Sequence, residues 1–283
     1  MIGRFEYARP KSVEDAVSLL RERGGDAAVY AGGTDLLVEI RNGHRAPALL
    51  VDVKGIDELR RLEIGETELR IGAATPLNAV AESRAVRHRL VALADAALSI
   101  GTYQIRGRAT LAGNVCNASP AADTAPVLLV AGAELIVAGP AGRRSVPVQE
   151  LFTGVKRTSL SAEDIVVEVR IPAAEGALET AFLKQQRIRG HDLAVVNVAG
   201  SVDVDTRRMA VAVGSCAPTP VLLDPVDTRG QSPAEISERL ITLAEKATSP
   251  ISDVRASASY RRAILPVLLR RLCDRLAAEG AVA

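Results

Sequence analysis

The stretch TLAGNVCNASPAAD, residues 110–123, decides how the rest of the chain is read. It lies between two apolar runs, residues 90–98 and 126–133, where a domain core is expected. Its small residues, Asn, Ser and Pro give such a core little to bury, so it reads as a binding loop. A second stretch, AGGTDL at residues 31–36, has the same chemistry: paired glycines, a hydroxyl and an acid opening onto an apolar helix. Glycine accepts positive φ and lets backbone N–H groups close on phosphate. Two such loops in one domain predict one nucleotide-type ligand held between them.

Working outward, residues 27–31 read as a short strand entering the first glycine loop. Leu36, Leu37 and Ile40 give the following helix an apolar face up to Asn42-Gly43, and residues 49–53 read as a buried strand. Strand, loop, helix and strand make a βαβ unit, in which ligands sit at the carboxyl ends of the strands. Upstream, Ser12 caps a helix with Val13, Ala16, Val17 and Leu20 on one face, ended by Gly24-Gly25. Downstream the period changes to two, and residues 62–64 and 69–71 read as a hairpin about Gly65-Glu66. Helical runs follow at 77–81 and 89–98, then an irregular polar segment at 99–108. Strands at 134–138 and 164–171 flank a turn at 139–142, and Pro172 ends the second. Residues 173–176, small and acidic, read as a linker. Residues 180–186, 194–204 and 209–213 read as strands, with a turn at 203–208, and residues 233–246 and 259–279 as helices. Strands followed by segregated helices indicate an α+β unit. The expected fold class is therefore α+β. An N-terminal domain, residues 1–174, has two parts: a βαβ unit at about 1–54 and a mixed α/β part at about 55–174. A smaller α+β domain, residues 175–283, carries a three-stranded antiparallel sheet with helices.

Composition excludes several classes of function. Thirty-five Lys and Arg against 34 Asp and Glu leave a net charge of +1, so no global field attracts nucleic acid or anionic membrane, and any phosphate recognition is local. Cys116, Cys216 and Cys273 lack the spacing of a disulfide framework or of a zinc or iron–sulfur site, which fits a reducing cytoplasm. The N-terminus lacks the apolar core of a signal peptide, and no run is long enough for a membrane span. His44, His88 and His191 are too scattered for a metal site. Cys116 reads as a small buried filler. Arg143-Arg144, Arg207-Arg208 and Arg261-Arg262 read as surface pairs.

Taken in order with FLKQQRIRGHDLAVVNVA at residues 182–199, the two loops give the chain a resemblance. It resembles the FAD-binding medium subunit of the molybdenum hydroxylases, the family of carbon monoxide dehydrogenase flavoproteins and of the flavin subunits of bacterial xanthine and nicotinate dehydrogenases. The likeness covers nearly the whole chain. It implies a PCMH/VAO-like FAD-binding N-terminal domain followed by the α+β domain. By motif position it implies that Ala31, Gly32, Gly33, Thr34, Asp35 and Leu36, with Val29 and Tyr30 before them, form the loop that meets the FAD pyrophosphate. Thr110, Ala112, Gly113 and Asn114 match a second pyrophosphate loop, with Asn117 also at the cofactor. Asp123 matches an acid that hydrogen-bonds a cofactor hydroxyl, Ile100 and Val166 match apolar positions packed on the cofactor, and Lys184 a lysine at its edge. The family has two glycines where this chain has Ala112-Gly113, which sets a methyl group where positive φ or close phosphate approach is expected.

The resemblance further implies a large molybdopterin subunit and a small iron–sulfur subunit as partners, with electrons reaching FAD from the clusters and leaving to NAD or another acceptor. No protein acid, base or nucleophile is then required. Two other readings are a stand-alone FAD oxidoreductase of the same fold superfamily, such as a UDP-acetylenolpyruvoylglucosamine reductase, and a nucleotide-binding scaffold without redox activity. The absence of an obvious substrate-side acid or base counts against the first, and Asp123 with Lys184 against the second.

Overall fold

The computed structural model describes residues 4–173, 177–188 and 190–278. The expected linker, apart from Ala173, and the 174/175 boundary lie outside the described residues, as does Glu279. Strands β1 (Glu6–Ala8), β2 (Ala27–Tyr30) and β3 (Leu49–Asp52) form a parallel sheet in the order β1-β3-β2. The central strand is buried throughout, as a parallel strand covered on both faces must be. On one face lies helix Val13–Arg23, started by the Ser12 hydroxyl, which accepts from Asp15 N at 3.0 Å. Its Val13, Ala16, Val17 and Leu20 bury against Leu49 and Val51. On the other face, helix Leu36–Arg41 packs Leu36 and Ile40 on Ala28 and Leu50. The βαβ unit is present with its glycine loop at the carboxyl end of β2. Strand β1, short and mostly exposed, has no signature in the sequence.

A second sheet combines β4 (Leu62–Ile64), β5 (Glu68–Gly72), β6 (Glu134–Gly139), β7 (Gly142–Pro147) and β10 (Ile165–Pro172), in the order β4-β5-β10-β6-β7. Between them in sequence, β8 (Phe152–Gly154) and β9 (Arg157–Thr158) make a separate hairpin. The register of β10 on β6 shifts between Val166 and Glu168. A bulge reverses which side chains share a face. Thus Ile165 and Val167 bury with the first sheet's helix, whereas Val166, Val169 and Ile171 bury in the larger core on the other side. That core is filled by helices Leu77–Glu82, Val91–Leu98, Leu111–Cys116 and Thr124–Val130.

The expectation that residues 110–123 are loop throughout is corrected here. Leu111, Ala112 and Val115 bury as the apolar stripe of a short helix, and Thr110 caps it, its hydroxyl accepting from Gly113 N at 3.0 Å.

In the last third, β11 (Leu178–Gln185), β12 (Val196–Asp203) and β13 (Arg208–Gly214) form the three expected antiparallel strands. Two short strands, β14 (Val221–Leu222) and β15 (Val226–Asp227), extend the sheet along β13. Helix Pro233–Ala247, opened by a Ser232/Glu235 capping box, and helix Ala258–Ala278 cover one face through Leu240, Leu269 and Leu272. The opposite face carries Phe182, Ala199 and Ala212 into the same core as Leu128 of the N-terminal part. Arg261 is not a surface residue. It is buried and donates to Ser215 O at 2.6 Å and to Asp253 Oδ1 at 2.7 Å, tying the long helix to the loops below it.

Candidate functional site

The fold brings the two glycine stretches to one cleft of about 760 Å³. Its wall includes Val29, Ala31, Gly32, Gly33, Thr34, Asp35 and Leu36 from the first, and Thr110, Ala112, Gly113, Asn114, Asn117 and Asp123 from the second. Ile100, Val166 and Lys184 complete the set read from the sequence. Tyr30 alone of that set is off the wall. Its ring lies behind the loop, beneath Lys54 Nζ at 3.6 Å from the centroid and edge-on to Tyr7.

Each glycine has its own reason. A Cβ on Gly32 would meet Arg108 O and stand 2.8 Å from Ala109 Cα, so glycine here lets the first loop touch the chain entering the second. Gly33 has φ +74°, in the left-handed region where side chains are disfavoured. Gly113 differs from expectation: it is helical, and a Cβ there would stand 2.9 Å from Thr110 Oγ1, crowding the cap. Ala112 is helical too, and its methyl is buried in the core, so nothing in this backbone requires glycine at that position.

At one end of the cleft, Asp123 sits in a buried polar cluster assembled from both halves of the chain. Oδ2 accepts from Lys184 Nζ at 2.7 Å and Ser99 Oγ at 2.9 Å, and Oδ1 accepts from Asn197 Nδ2 at 2.9 Å. Lys184 Nζ also reaches Ser99 O at 3.2 Å. Burial pushes the Asp123 carboxyl above its ordinary value, while the Lys184 charge and these hydrogen bonds pull it back. Paired and hydrogen-bonded, this is the form in which a buried carboxylate is tolerated.

Two features on or behind the wall were not read from the sequence. Lys156, at φ +57° in the β8–β9 turn, donates from its backbone to Ala118 O at 2.9 Å and from Nζ to Asn117 Oδ1 at 2.5 Å and Glu39 Oε1 at 3.4 Å. The hairpin thereby ties the second glycine stretch to the helix that follows the first, and nothing in its local sequence signals this. Asn197 and Ser99 are the other omission. Asn197 is a polar residue within the apolar alternation of β12, a pattern that marks a buried polar role. Cys116 also lines the cleft, and burial pushes its thiol up to about 12, so it is a packed thiol with negligible thiolate at neutral pH. Among the described residues no group of His, Cys, Asp and Glu is arranged to hold a metal ion.

Glycine-rich backbone, apolar side chains such as Val29, Ala73, Ile100, Leu160 and Val166, and a volume in the ligand range make this a small-molecule or cofactor cleft. The chain belongs to the molybdopterin dehydrogenase flavoprotein family. Residues 3–174 match the FAD binding domain in molybdopterin dehydrogenase, and residues 181–276 match the CO dehydrogenase flavoprotein C-terminal domain. It is 32% identical to the carbon monoxide dehydrogenase medium chain of Hydrogenophaga pseudoflava, over 95% of each chain. It is 29% identical to the xanthine dehydrogenase FAD-binding subunit of Escherichia coli O157:H7, over 99% of each. A crystal structure of the Cu,Mo-CO dehydrogenase in its cyanide-inactivated form contains a chain that superposes with a TM-score of 0.90 at 30% identity, covering 97% of this chain and 98% of that one. The fold is accordingly the PCMH-like FAD-binding architecture with its α+β C-terminal domain. The chain is an FAD subunit of an oxidoreductase.

Proposed function

We propose that the chain is the flavin-carrying subunit of a multi-subunit molybdenum hydroxylase, holding one FAD along this cleft beside a large molybdopterin subunit and a small iron–sulfur subunit. The observation that carries the proposal is the convergence of the two glycine stretches, far apart in sequence, on one wall through the Gly32 approach to Arg108 and Ala109. The residues present fit the cofactor. Backbone donors of the loop 31–36 and of the start of helix Leu111–Cys116 hold the pyrophosphate, each charge-assisted hydrogen bond being worth roughly 1.5–3 kcal/mol, while Thr110, Gly113 and Asn114 shape that helix start, Gly113 N and Asn114 N donating to Thr110. Val29, Ile100 and Val166 supply apolar contact, Asn117 lies beside the cofactor, Asp123 accepts from a cofactor hydroxyl, and Lys184 lies at the cofactor's edge. When bound, FAD supplies the redox chemistry, taking electrons from iron–sulfur clusters of a partner and giving them to NAD or another acceptor.

The protein's part is binding, orientation and exclusion of water. The buried carboxylates on the wall support that division of labour, since Asp123 is paired with Lys184 and Asp164 with Arg144, leaving neither poised to move a substrate proton. The purified chain is expected to be yellow, with a flavin-to-protein ratio near unity, and to bind FMN far more weakly because FMN lacks the pyrophosphate and adenosine. A colourless protein that takes up no FAD on titration, or equal affinity for FMN and FAD, overturns the reading. Co-purification with a molybdopterin subunit and an iron–sulfur subunit tests the assembly.

A further inference from the structure

We propose that Asn197 is a positioning residue of the flavin site, acting through Asp123 from the C-terminal domain, and that Gly214 is what makes room for it. The inference rests on the proposed flavin function and deepens it.

Asn197 lies on β12 with its side chain fully buried toward the N-terminal domain, on the same face as Ala199 and Ser201, whose hydroxyl bonds Val130 O at 3.0 Å. Both amide protons are committed: one to Asp123 Oδ1 at 2.9 Å, the other to Ala122 O at 3.3 Å. The flipped amide would turn its carbonyl oxygen on a carboxylate and a carbonyl, so this geometry admits one orientation. Its own Oδ1 has no partner among the described residues, which in a buried amide is a cost that the contact with Asp123 must offset.

The neighbouring strand shows how closely the position is specified. Gly214 on β13 is paired with Asn197, and a Cβ there would collide with Asn197 Oδ1 and stand 3.1 Å from its Cγ. Any side chain at 214 therefore moves the amide off Asp123.

The consequence falls on the carboxylate. Two oxygens offer about four acceptor positions. Oδ2 receives Lys184 and lies 2.9 Å from the Ser99 hydroxyl, whose single proton is shared with Ala96 O at 2.8 Å, and Oδ1 receives Asn197, so a position is left open on Oδ1, the oxygen that Asn197 holds. Asp123 lines the cleft, and a hydroxyl of FAD that bonds its carboxylate through Oδ1 takes that open position, whose direction Asn197 sets. Without Asn197 the carboxylate keeps its ion pair with Lys184 but is free to turn about it.

The test is FAD affinity of the apo-protein, measured by flavin fluorescence quenching, with the thermal midpoint of the apo-protein recorded in parallel. Asn197→Ala and Gly214→Ala are each expected to raise the FAD dissociation constant about tenfold or more, equivalent to ~1.4 kcal/mol. In an Asp123→Ala background the same changes are expected to add nothing further, since their effect passes through that carboxylate. The isosteric Asn197→Asp variant sets a like charge against Asp123 and is expected to lose more affinity than Asn197→Ala; it carries the test where the alanine variant does not yield folded protein. Unchanged affinity in these variants, or an equal loss with and without Asp123, overturns the inference and assigns Asn197 to folding alone. A wild-type chain that binds no FAD would instead sink the flavin reading beneath it.

Discussion

Gly33 turns the backbone to φ +74°, and a Cβ there would strike the Tyr30 ring, which is itself held between Lys54 and Tyr7. Gly33→Val is therefore expected to distort the first loop and remove bound FAD while the chain, whose small Leu36/Leu50 cluster it reaches only through the partly buried Tyr30 ring, stays folded; flavin-to-protein ratio and far-UV circular dichroism check the two halves of that statement. Gly113→Ala acts differently. Its helical φ is no obstacle, and the added methyl crowds the Thr110 hydroxyl instead, so the expected loss is that of a helix cap, about 0.5–2 kcal/mol in thermal or denaturant unfolding, with flavin largely retained. A Gly113→Ala variant as devoid of flavin as Gly33→Val would show that the second stretch needs glycine for the ligand and not for its cap. The sequence made both glycine stretches visible as ligand loops, but not this difference. A six-residue helix is too short to display a period, and Thr110 reads as a loop hydroxyl as easily as a cap. The Asp123 cluster was half legible in the same way. Asp123 and Lys184 stand at recognisable motif positions, whereas Asn197, though inside the same 182–199 motif and polar in an apolar strand, shows its partner only when β12 is laid against the N-terminal helices.

Elements with a clean hydrophobic period were legible: the capped first helix, the hairpin of β4 and β5, strands β6 and β10, and the long C-terminal helices. Strand β7 was not, because GRRSVP has no alternation and its first four residues are exposed. It is an edge strand defined by its pairing to β6 and by ion pairs across it: Arg143 with Glu58, and Arg144 bidentate to Asp164 at 2.9 and 2.7 Å. Asp164 is nearly buried and also accepts from Ser161 N at 2.7 Å, so it fixes the entry to β10 as well as the edge. Arg144 chiefly holds the Asp164 carboxyl below its ordinary value, with Ser161 assisting against burial. A carboxyl whose folded pKa is depressed contributes stability that is fully present above its unfolded value, about 3.9, and is lost as pH falls through the folded value. Asp164→Asn is thus expected to lower the thermal midpoint at pH 7, with the gap to wild type closing as pH falls below about 4. A gap independent of pH would mean that the asparagine disturbs packing and not charge.

At the scale of the whole molecule, the C-terminal sheet is covered on one face by its own helices and on the other by the N-terminal domain, with Phe182, Ala199 and Ala212 buried beside Leu128. All seven residues of helix Thr124–Val130 are buried, and strands β12 and β13 contribute to that burial. A chain truncated after residue 173 would expose this apolar helix and lose Lys184 and Asn197 together. It is expected to self-associate and to hold no FAD, which size-exclusion chromatography and flavin absorbance would report. The intact chain has the opposite limitation. On its cleft wall Asp123 is tied to Lys184 and Asp164 to Arg144, and the Cys116 thiol is raised by burial to about 12. Under the proposed function the organic substrate is oxidised on a partner, so the isolated chain reconstituted with FAD is expected to move electrons from NADH to an artificial dye at best. It is expected to show no turnover of purines or other heterocycles. Adding the molybdopterin and iron–sulfur subunits should restore substrate-dependent reduction of the flavin, followed by its absorbance bleaching under anaerobic conditions. Substrate oxidation by the FAD-loaded chain alone would overturn the subunit reading and return the stand-alone oxidoreductase in its place.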